Sequence, residues 1–208
     1  MASPSTDMRR QPRHARGQRR VEAILRAATA VFDAQGFEAA TTNAIARRAR
    51  ASIGSLYQFF PNKEAILQAV VNRHREELNA LFASLLTADN LRQPTAVIVE
   101  RVLSGAAAFI AGHAGFGRIF WHSSASPRLA AIAAQLDDEI VARVEAGFAV
   151  RYPRLSRPRR RLHATVSVAM LKALLALADA ASRANRPRIM AETQTILAQY
   201  LDQIDRSA

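Results

Sequence analysis

Helical periodicity extends along almost the whole chain and constrains its fold more than any other feature. Apolar residues recur at spacings of three and four, which places them on one face of an α-helix. The first such series is Val21, Ile24, Leu25, Ala28, Val31 and Phe32. No segment of useful length alternates apolar and polar residues in the way that a half-buried strand does. The sequence therefore predicts an all-α protein.

Capping signals predict short helices between residues 40 and 62. Thr41 or Thr42 can cap a helix over 43–49, and Ser52 can cap a second helix over 53–59. The Phe60–Pro61 step ends that second helix, because the residue before a proline is pushed out of the α region. The next residue, Asn62, can cap a fourth helix. The first helix is predicted to end at Gly36, a typical helix C′ residue.

The remaining periodicity defines a long C-terminal region. Helices are predicted over about 94–111, 115–123, 128–150, 162–183 and 187–205. The segment 153–161, PRLSRPRRR, is interpreted as a basic linker. Residues 1–17 have no apolar period and are interpreted as a disordered basic arm. We therefore expect an arm over 1–17, a small helical domain over 18–75 with a central motif at about 40–59, and a helical domain over 76–208.

Positive charge is concentrated in the N-terminal part of the chain. The whole chain carries a net charge of +12, and 27 of its 29 basic residues are arginine. Residues 1–75 hold 13 basic and 5 acidic side chains, a net charge of +8. A basic terminal domain indicates a phosphate-bearing partner or an anionic membrane surface. The alternative is that a GC-rich genome simply favours arginine.

Several classes of protein are disfavoured by composition. The chain has no cysteine, which excludes disulfides, zinc fingers and thiol catalysis. The motifs GxSxG, HExxH, GxGxxG and the P-loop are missing, and the five histidines show no metal-ligand spacing. We therefore expect no enzyme, no cofactor and no metal. The N-terminus has no apolar region of a secretory signal. The most apolar stretch, 162–181, contains charged side chains that are costly in lipid, so we expect a buried helix and no membrane partner.

The two short helices form a predicted helix-turn-helix. In that motif the second helix enters the major groove, and the first crosses the DNA backbone. The small residues Gly54 and Ser55 near the start of the second helix would allow close approach to DNA. A glycine inside a helix costs about 1 kcal/mol relative to alanine, so Gly54 calls for an explanation. Approach to DNA and a tight helix–helix contact would each explain it. Phe59 and Phe60 are predicted to belong to the core.

A series of motifs in this region resembles the DNA-binding domain of TetR-type transcriptional regulators. The motifs are RVEAILRAA from Arg20, FDAQGF from Phe32, TTNAIARRA from Thr41, SIGSLYQFF from Ser52 and PNKEAIL from Pro61. The resemblance covers about residues 18–75, with the motifs in the order and at the spacing of the family. The rest of the chain matches the family only in helix count, length and an apolar penultimate helix.

The resemblance implies roles for individual residues in binding double-stranded DNA. Phosphate contacts are implied for Thr42, Ser52, Tyr57 and Lys63. Groove-facing positions are implied for Ile53, Gly54, Ser55 and Gln58. The amide of Gln58 can make a bidentate pair with adenine, and the alternative is a further phosphate contact. Arg47 and Arg48 are interpreted as mainly solvated.

One residue departs from the family pattern. Arg50 occupies the turn position where the family usually has glycine in a left-handed conformation. A non-glycine residue in that conformation costs on the order of 1 kcal/mol. Either the turn is reshaped, or Arg50 offsets the strain by contacting a phosphate.

The resemblance also implies a homodimer and an effector pocket in the C-terminal region. Dimerisation through the last two helices is expected at Leu162, Val166, Ala169, Met170, Ala173, Leu174, Leu177, Ile196, Leu197, Tyr200 and Leu201. The alternative is that these residues fill the core of a monomer. An unknown small-molecule effector is expected to contact Phe109, His113, Phe116, Phe120, Trp121 and His122. For this aromatic cluster, too, the alternative is plain core.

Together these observations predict a DNA-binding regulator that is cytoplasmic, bacterial and associated with the nucleoid through DNA. The resemblance implies a dimeric repressor that binds a palindromic operator and is released by its effector. The main alternative is a sequence-nonspecific basic architectural protein, which would bind all DNA alike with a steep salt dependence. A membrane-surface protein led by the basic arm is a further alternative.

Overall fold

The structure is a computed structural model that describes residues 15–113 and 127–207, and every regular element in these two ranges is a helix. The predicted all-α class is confirmed. The described residues form two compact units. The first contains the residues up to Glu76, together with His113; the second contains Glu77–Gly112 and the residues from Pro127 onward.

Four helices contribute to the first unit. They are α1 (Ala15–Ala39), α2 (Thr42–Arg48), α3 (Ile53–Phe59) and the first part of α4 (Lys63–Leu85). Each supplies large apolar side chains that are almost completely buried: Ile24, Phe32, Ile45, Leu56, Ile66 and Leu67. Helices as short as α2 and α3 are marginal in isolation. Their stability therefore depends on this shared core.

Side-chain caps define the beginnings of α2, α3 and α4 as the sequence indicates. Thr41, rather than Thr42, caps α2, and its hydroxyl accepts a hydrogen bond from the Ala44 N–H at 3.1 Å. The Ser52 hydroxyl accepts from the Ser55 N–H at 3.1 Å. The Asn62 side chain accepts from the Ala65 N–H at 2.8 Å. The predicted bounds of α3 agree with the structure.

The helix α1 differs from the prediction at its beginning and agrees with it at Gly36, where the first helical segment ends. It begins at Ala15, so the last three residues of the predicted arm are helical, while residues 1–14 lie outside the described part of the chain. The sequence did not indicate a helix here, because Gly17 disfavours helix and the segment has no apolar period. Near the other end, Gly36 interrupts the helix with φ 79° and ψ 165°. The ring of Phe37 then packs back on Phe32, with centroids 5.5 Å apart.

The second unit is a bundle built from the remainder of α4 and five further helices. These are α5 (Ala88–Leu91), α6 (Thr95–Gly112), α7 (Pro127–Arg151), α8 (Arg157–Ala180) and α9 (Arg186–Ser207). The helix α8 packs against α7 and α9, and α9 packs against α6. Their shared core cluster contains Val99, Leu103, Ala106, Leu171, Leu175 and Leu197. The helix predicted near 115–123 lies outside the described residues.

The predicted basic linker over 153–161 is partly wrong. Helix α8 begins at Arg157, five residues earlier than predicted, with Ser156 at its N-cap. Pro158 lies in the first turn, where proline is tolerated because its missing N–H would have no partner in the helix. The arginines there pair with acidic side chains of α7: Arg161 lies 3.0 Å from Asp138. These pairs are compatible with a solvated helical turn.

Two of these helices, Thr95–Gly112 and Arg157–Ala180, are long and apolar enough to cross a membrane. Core helices of soluble proteins have the same length and composition. Both helices supply members of the core cluster described above. In the middle of α8, the ammonium group of Lys172 lies 2.6 Å from a carboxylate oxygen of Asp137.

Candidate functional site

The turn between α2 and α3 preserves the left-handed geometry that the sequence made uncertain. Arg50 has φ 51°, in the region that normally favours glycine. The Ala51 N–H donates to the Ala46 carbonyl at 3.0 Å, which closes the turn. From α1, the Arg20 guanidinium donates to the Arg50 carbonyl at 3.2 Å. The turn is therefore not reshaped, and Arg50 bears the strain with an exposed side chain.

Helix α3 buries one face and exposes the other. Leu56, Phe59 and Phe60 are buried, so the two phenylalanines belong to the core as expected. On the opposite face, Ile53 is 38% exposed and Tyr57 is 42% exposed. Gly54 and Gln58 are exposed beside them, with Ser52 at the cap and Ser55 half-buried. An exposed isoleucine and tyrosine on so short a helix indicate a surface available to a partner.

Gly54 is not explained by packing within the chain. A Cβ added at this position would meet no atom within 4 Å. The tight helix–helix contact considered above is therefore absent from the described structure. What remains of the two explanations is close approach by a partner outside the chain.

Two hydroxyl groups meet beside this surface. The Thr42 Oγ1 lies 3.2 Å from the Tyr57 hydroxyl, which joins the start of α2 to the second half of α3. Both hydroxyl groups can donate a hydrogen bond to a phosphate oxygen. The geometry places both donors close enough to reach one oxygen together. The sequence predicted each contact separately and gave no sign of the pair.

Lys63 is held in a different way from the other predicted phosphate contacts. Its ammonium donates to the carbonyl groups of Phe37 and Glu38 at 2.8 and 3.0 Å. It also lies 4.4 Å from the centroid of the Phe37 ring. Two of its three N–H donors therefore stabilise the chain that follows Gly36. Lys63 has an evident structural role besides any contact with DNA.

The predicted effector cluster is only partly within the described residues. Phe109 is buried on α6, and the ring centroid of His113 lies 5.0 Å from that of His74. Phe116, Phe120, Trp121 and His122 lie outside the described residues.

An apolar cavity lies elsewhere in the second unit, with room of about 80 Å³. Neither Phe109 nor His113 lines it. Most of its wall is aliphatic or aromatic, contributed by α4 to α9: Phe82, Leu86, Leu91, Ile98, Val99, Val102, Val144, Gly147, Phe148, Arg151, Tyr152, Ser167, Val168, Leu171, Leu197 and Leu201. Sequence reasoning missed this cavity. A glycine within the apolar series of α7 was the signal available, because glycine leaves space where other residues place a side chain.

The predicted dimer residues fall into three groups by exposure. Leu162, Ala169, Ala173, Leu177 and Ile196 are exposed, while Val166, Met170, Leu174, Tyr200 and Leu201 are half-buried. Leu197 is only 5% exposed and belongs to the core of its own subunit. Leu162 and Leu177, with 59% and 54% exposed, are the most exposed members.

A histidine–tyrosine pair joins α8 to α9 on this side of the unit. The His163 Nδ1 lies 2.8 Å from the Tyr200 hydroxyl. Burial lowers the pKa of His163 from its usual value, and the charge of Arg159 lowers it further. Burial also raises the pKa of Tyr200. Both shifts favour the neutral side chains, which can be buried at lower cost.

A helical fold that contains a capped helix-turn-helix, with an exposed second helix that bears a glycine, is typical of the class of DNA-binding regulators. Comparison with known families agrees. Residues 24–70 match the family of bacterial regulatory proteins, tetR family, and residues 94–201 match the tetracyclin repressor-like C-terminal domain. The chain therefore belongs to the TetR family: it is a DNA-binding transcriptional regulator and not an enzyme.

Individual curated relatives match a short segment of the chain. The HTH-type transcriptional regulator UidR of Escherichia coli is 39% identical over 59 residues, 28% of this chain and 30% of UidR. The A-factor receptor protein of Streptomyces griseus is 47% identical over 49 residues, 24% of this chain and 18% of that protein. The matched segments thus span less than a third of these curated relatives.

Solved structures share the fold over nearly the whole chain. A transcriptional regulator from Aquifex aeolicus has a TM-score of 0.64 at 16% identity, covering 89% of this chain and 99% of that one. A TetR-family regulator from Streptomyces coelicolor has a TM-score of 0.62 at 23% identity, covering 88% and 98%. The fatty acid degradation regulator FadR from Bacillus halodurans has a TM-score of 0.67 at 14% identity, covering 90% and 97%. At such identities the likeness concerns the fold.

Proposed function

We propose that this protein is a homodimeric repressor that binds a palindromic DNA operator and is released by a small-molecule effector. The exposed face of α3 is the observation that carries the proposal. There Gly54 has open space around it, and the Thr42–Tyr57 hydroxyl pair flanks the surface. Residues 18–75 would form the DNA-binding domain, and residues 76–208 the effector-binding and dimerisation domain.

Within the DNA-binding domain, the residues divide into two roles. Thr42, Ser52, Tyr57, Lys63 and Arg50 contact phosphates and fix the register on the duplex, since such contacts carry no sequence information. Base edges are read by the exposed face of α3: Ile53, Gly54, Ser55 and Gln58. Gln58 is exposed and is not part of the core. Its side-chain amide can make a bidentate hydrogen-bond pair with adenine.

Dimerisation is supported by apolar surface that the subunit leaves uncovered. Leu162 and Leu177 on α8 and Ile196 on α9 are large, apolar and exposed. Ala169 and Ala173 on α8 line a groove of about 430 Å³ formed by α7 and α8, where small residues permit close helix packing. Pairing α8 and α9 with their copies would remove this surface from water. It would also place two recognition helices about one helical turn of DNA, ~34–36 Å, or a multiple apart.

The effector is proposed to bind in the second unit, whose apolar cavity supplies a site. We place the protein in the cytoplasm, associated with the nucleoid through DNA. In this proposal α6 and α8 are core and interface helices rather than membrane spans.

Selection from a pool of random DNA duplexes tests the DNA-binding part of the proposal, because the protein itself then picks out its operator. The full chain is expected to enrich two inverted half-sites at a fixed spacing. The Gln58→Ala variant, selected in parallel, should enrich a sequence altered at one position in each half-site. If no sequence is enriched although DNA is retained, the chain is the nonspecific architectural protein that the basic charge alone would explain.

A further inference from the structure

The walls of the cavity in the second unit restrict the chemistry of a ligand. Apart from Gly147, the described residues of the wall include three that are not aliphatic or aromatic hydrocarbons in character: Arg151, Tyr152 and Ser167. Cavities with mainly apolar walls are suited to small apolar molecules. With room of about 80 Å³, it would accept roughly five to eight non-hydrogen atoms at about 10–15 Å³ for each water-sized group.

The positively charged group at the cavity wall, the guanidinium of Arg151, already forms hydrogen bonds with other residues of the protein. The Arg151 guanidinium donates to the carbonyl groups of Leu91 and Gln93 at 2.7 and 2.9 Å. Its other nitrogens donate to the Thr95 hydroxyl at 3.0 Å and to the Tyr152 hydroxyl at 3.2 Å. These bonds occupy four of the five guanidinium N–H donors and hold the turn between α5 and α6, so a bidentate carboxylate would have to break at least one of them. Burying the carboxylate unpaired would be costly, so the site disfavours anions.

Gly147 lies in the interior of α7, at the cavity wall. Glycine weakens a helix relative to alanine, so a packing reason is expected for it. A Cβ added there would have its nearest neighbour, Leu91 Cδ1, at 3.5 Å, an ordinary contact distance. The protein could therefore accommodate a methyl group at this position. The glycine instead leaves that space to the cavity.

One polar group in the wall has no partner. The Ser167 Oγ is buried and makes no hydrogen bond within the part of the chain that the structure describes. Buried hydroxyl groups are normally hydrogen-bonded. A single polar atom on a ligand would satisfy this one.

We infer that the cavity binds a neutral, mainly apolar small molecule whose one polar atom hydrogen-bonds to Ser167. The described residues that line the cavity all belong to the second unit. The inference deepens the proposed function by naming the chemical class of the effector, and it rests on that proposal for the link to DNA release.

Calorimetric titration of the full chain with straight-chain primary alcohols of four to eight carbons tests the inference. Each added methylene should raise the affinity about fourfold, until the chain outgrows the cavity and the affinity levels off. The carboxylates of the same chain lengths should bind at least tenfold more weakly at pH 7.5. Equal or tighter binding of the carboxylates would overturn the inference, as would an absence of saturable binding by every alcohol.

Three variants locate the site. Gly147→Ala should lower the affinity for the longest alcohol that binds about fourfold, which is the effect of one methylene group. Ser167→Ala should weaken all the alcohols by a similar factor, roughly threefold to tenfold for one hydrogen bond. Gly112→Ala is the matched control on α6, where an added Cβ meets nothing within 4 Å, and it should leave binding unchanged. Alcohol binding that is insensitive to both cavity variants would place the site elsewhere.

A gel-shift assay on the selected operator separates this inference from the proposed function. Alcohols that bind in the cavity but leave DNA binding intact would support the ligand class and reject its role as effector. Release of DNA by a compound whose action is unaffected by Gly147→Ala and Ser167→Ala would reject the cavity as effector site and leave effector control standing.

Discussion

At the scale of single residues, the proposed DNA-binding surface combines a strained turn with the exposed face of α3. Arg50 keeps a left-handed conformation. The guanidinium of Arg20, on α1, donates a hydrogen bond to the Arg50 carbonyl and supports this conformation. The family's usual glycine would avoid the strain, so a basic side chain at this position suggests a gain in function. That gain would be a phosphate contact.

Replacing Arg50 separates the strain from the charge. Arg50→Gly should stabilise the fold by roughly 0.5–1 kcal/mol, since 1–2 kcal/mol of left-handed strain outweighs the flexibility that glycine adds to the unfolded chain. Arg50→Ala, the matched control, keeps the strain and should not stabilise. Both variants should reduce the slope of log affinity against log salt by about 0.9, the value for one phosphate contact. Denaturant titration and salt-dependent binding measure the two effects, and an unchanged slope in both variants would exclude the phosphate contact.

Tyr57 and Gln58 are neighbours with different predicted roles. Tyr57→Phe removes the hydroxyl paired with Thr42, and it should weaken binding to all DNA sequences by one common factor, about threefold to tenfold. Gln58→Ala should instead change the preference among operator variants by about 1–3 kcal/mol at the base that it reads. Binding titrations with a panel of single-base operator variants make the comparison. If Gln58→Ala lowers every affinity by one factor, its base-reading role is wrong.

At the scale of elements, the sequence predicted those helices whose ends carry chemical signals. The bounds of α3 follow from Ser52 at one end and Pro61 at the other, both local effects. The start of α8 was missed because its first turn is rich in arginine, and only Ser156 and Pro158 indicated a helix. The four-residue α5 is too short to show a period. The cavity could not be predicted, because unfilled space depends on how several distant segments pack.

The contact between α8 and α9 is expected to depend on pH through His163. Its pKa in the folded state is lowered below the unfolded value, so the unfolded chain takes up the proton first as pH falls. The contribution of neutral His163 to the free energy of unfolding is therefore fully present above about pH 6.5. It is lost as the pH falls below that value. Denaturation midpoints from pH 8 to 5 should decrease more steeply for wild type than for His163→Gln. Parallel curves for the two proteins would show that His163 does not cause the pH dependence of stability.

At the scale of the whole molecule, the proposed operator binding involves two copies of the chain. The exposed apolar residues of α8 and α9 support the proposed dimer, because pairing with a second copy would cover them. Most of the remaining predicted interface is half-buried within the subunit, and Leu197 is fully committed to its core. The interface is therefore expected to centre on Leu162, Leu177 and Ile196.

Leu177→Glu should convert the dimer into monomers, because a charge buried without a partner at an interface is costly. Val150→Glu is the matched control, since Val150 on α7 is 53% exposed and lies outside the predicted interface. Sedimentation equilibrium over a range of protein concentrations reports the association state. A dimer that survives Leu177→Glu but not Val150→Glu would move the interface to α7.

The ratio of affinities for the selected operator and for a scrambled duplex of the same composition tests the central claim most directly. It should be measured for the wild-type chain at near-physiological salt. Sequence-specific regulators prefer their sites by a factor of about 10³ or more, and this chain is expected to do the same. A ratio near one, with affinity falling steeply in salt, would contradict the account and leave charge as the sole basis of binding.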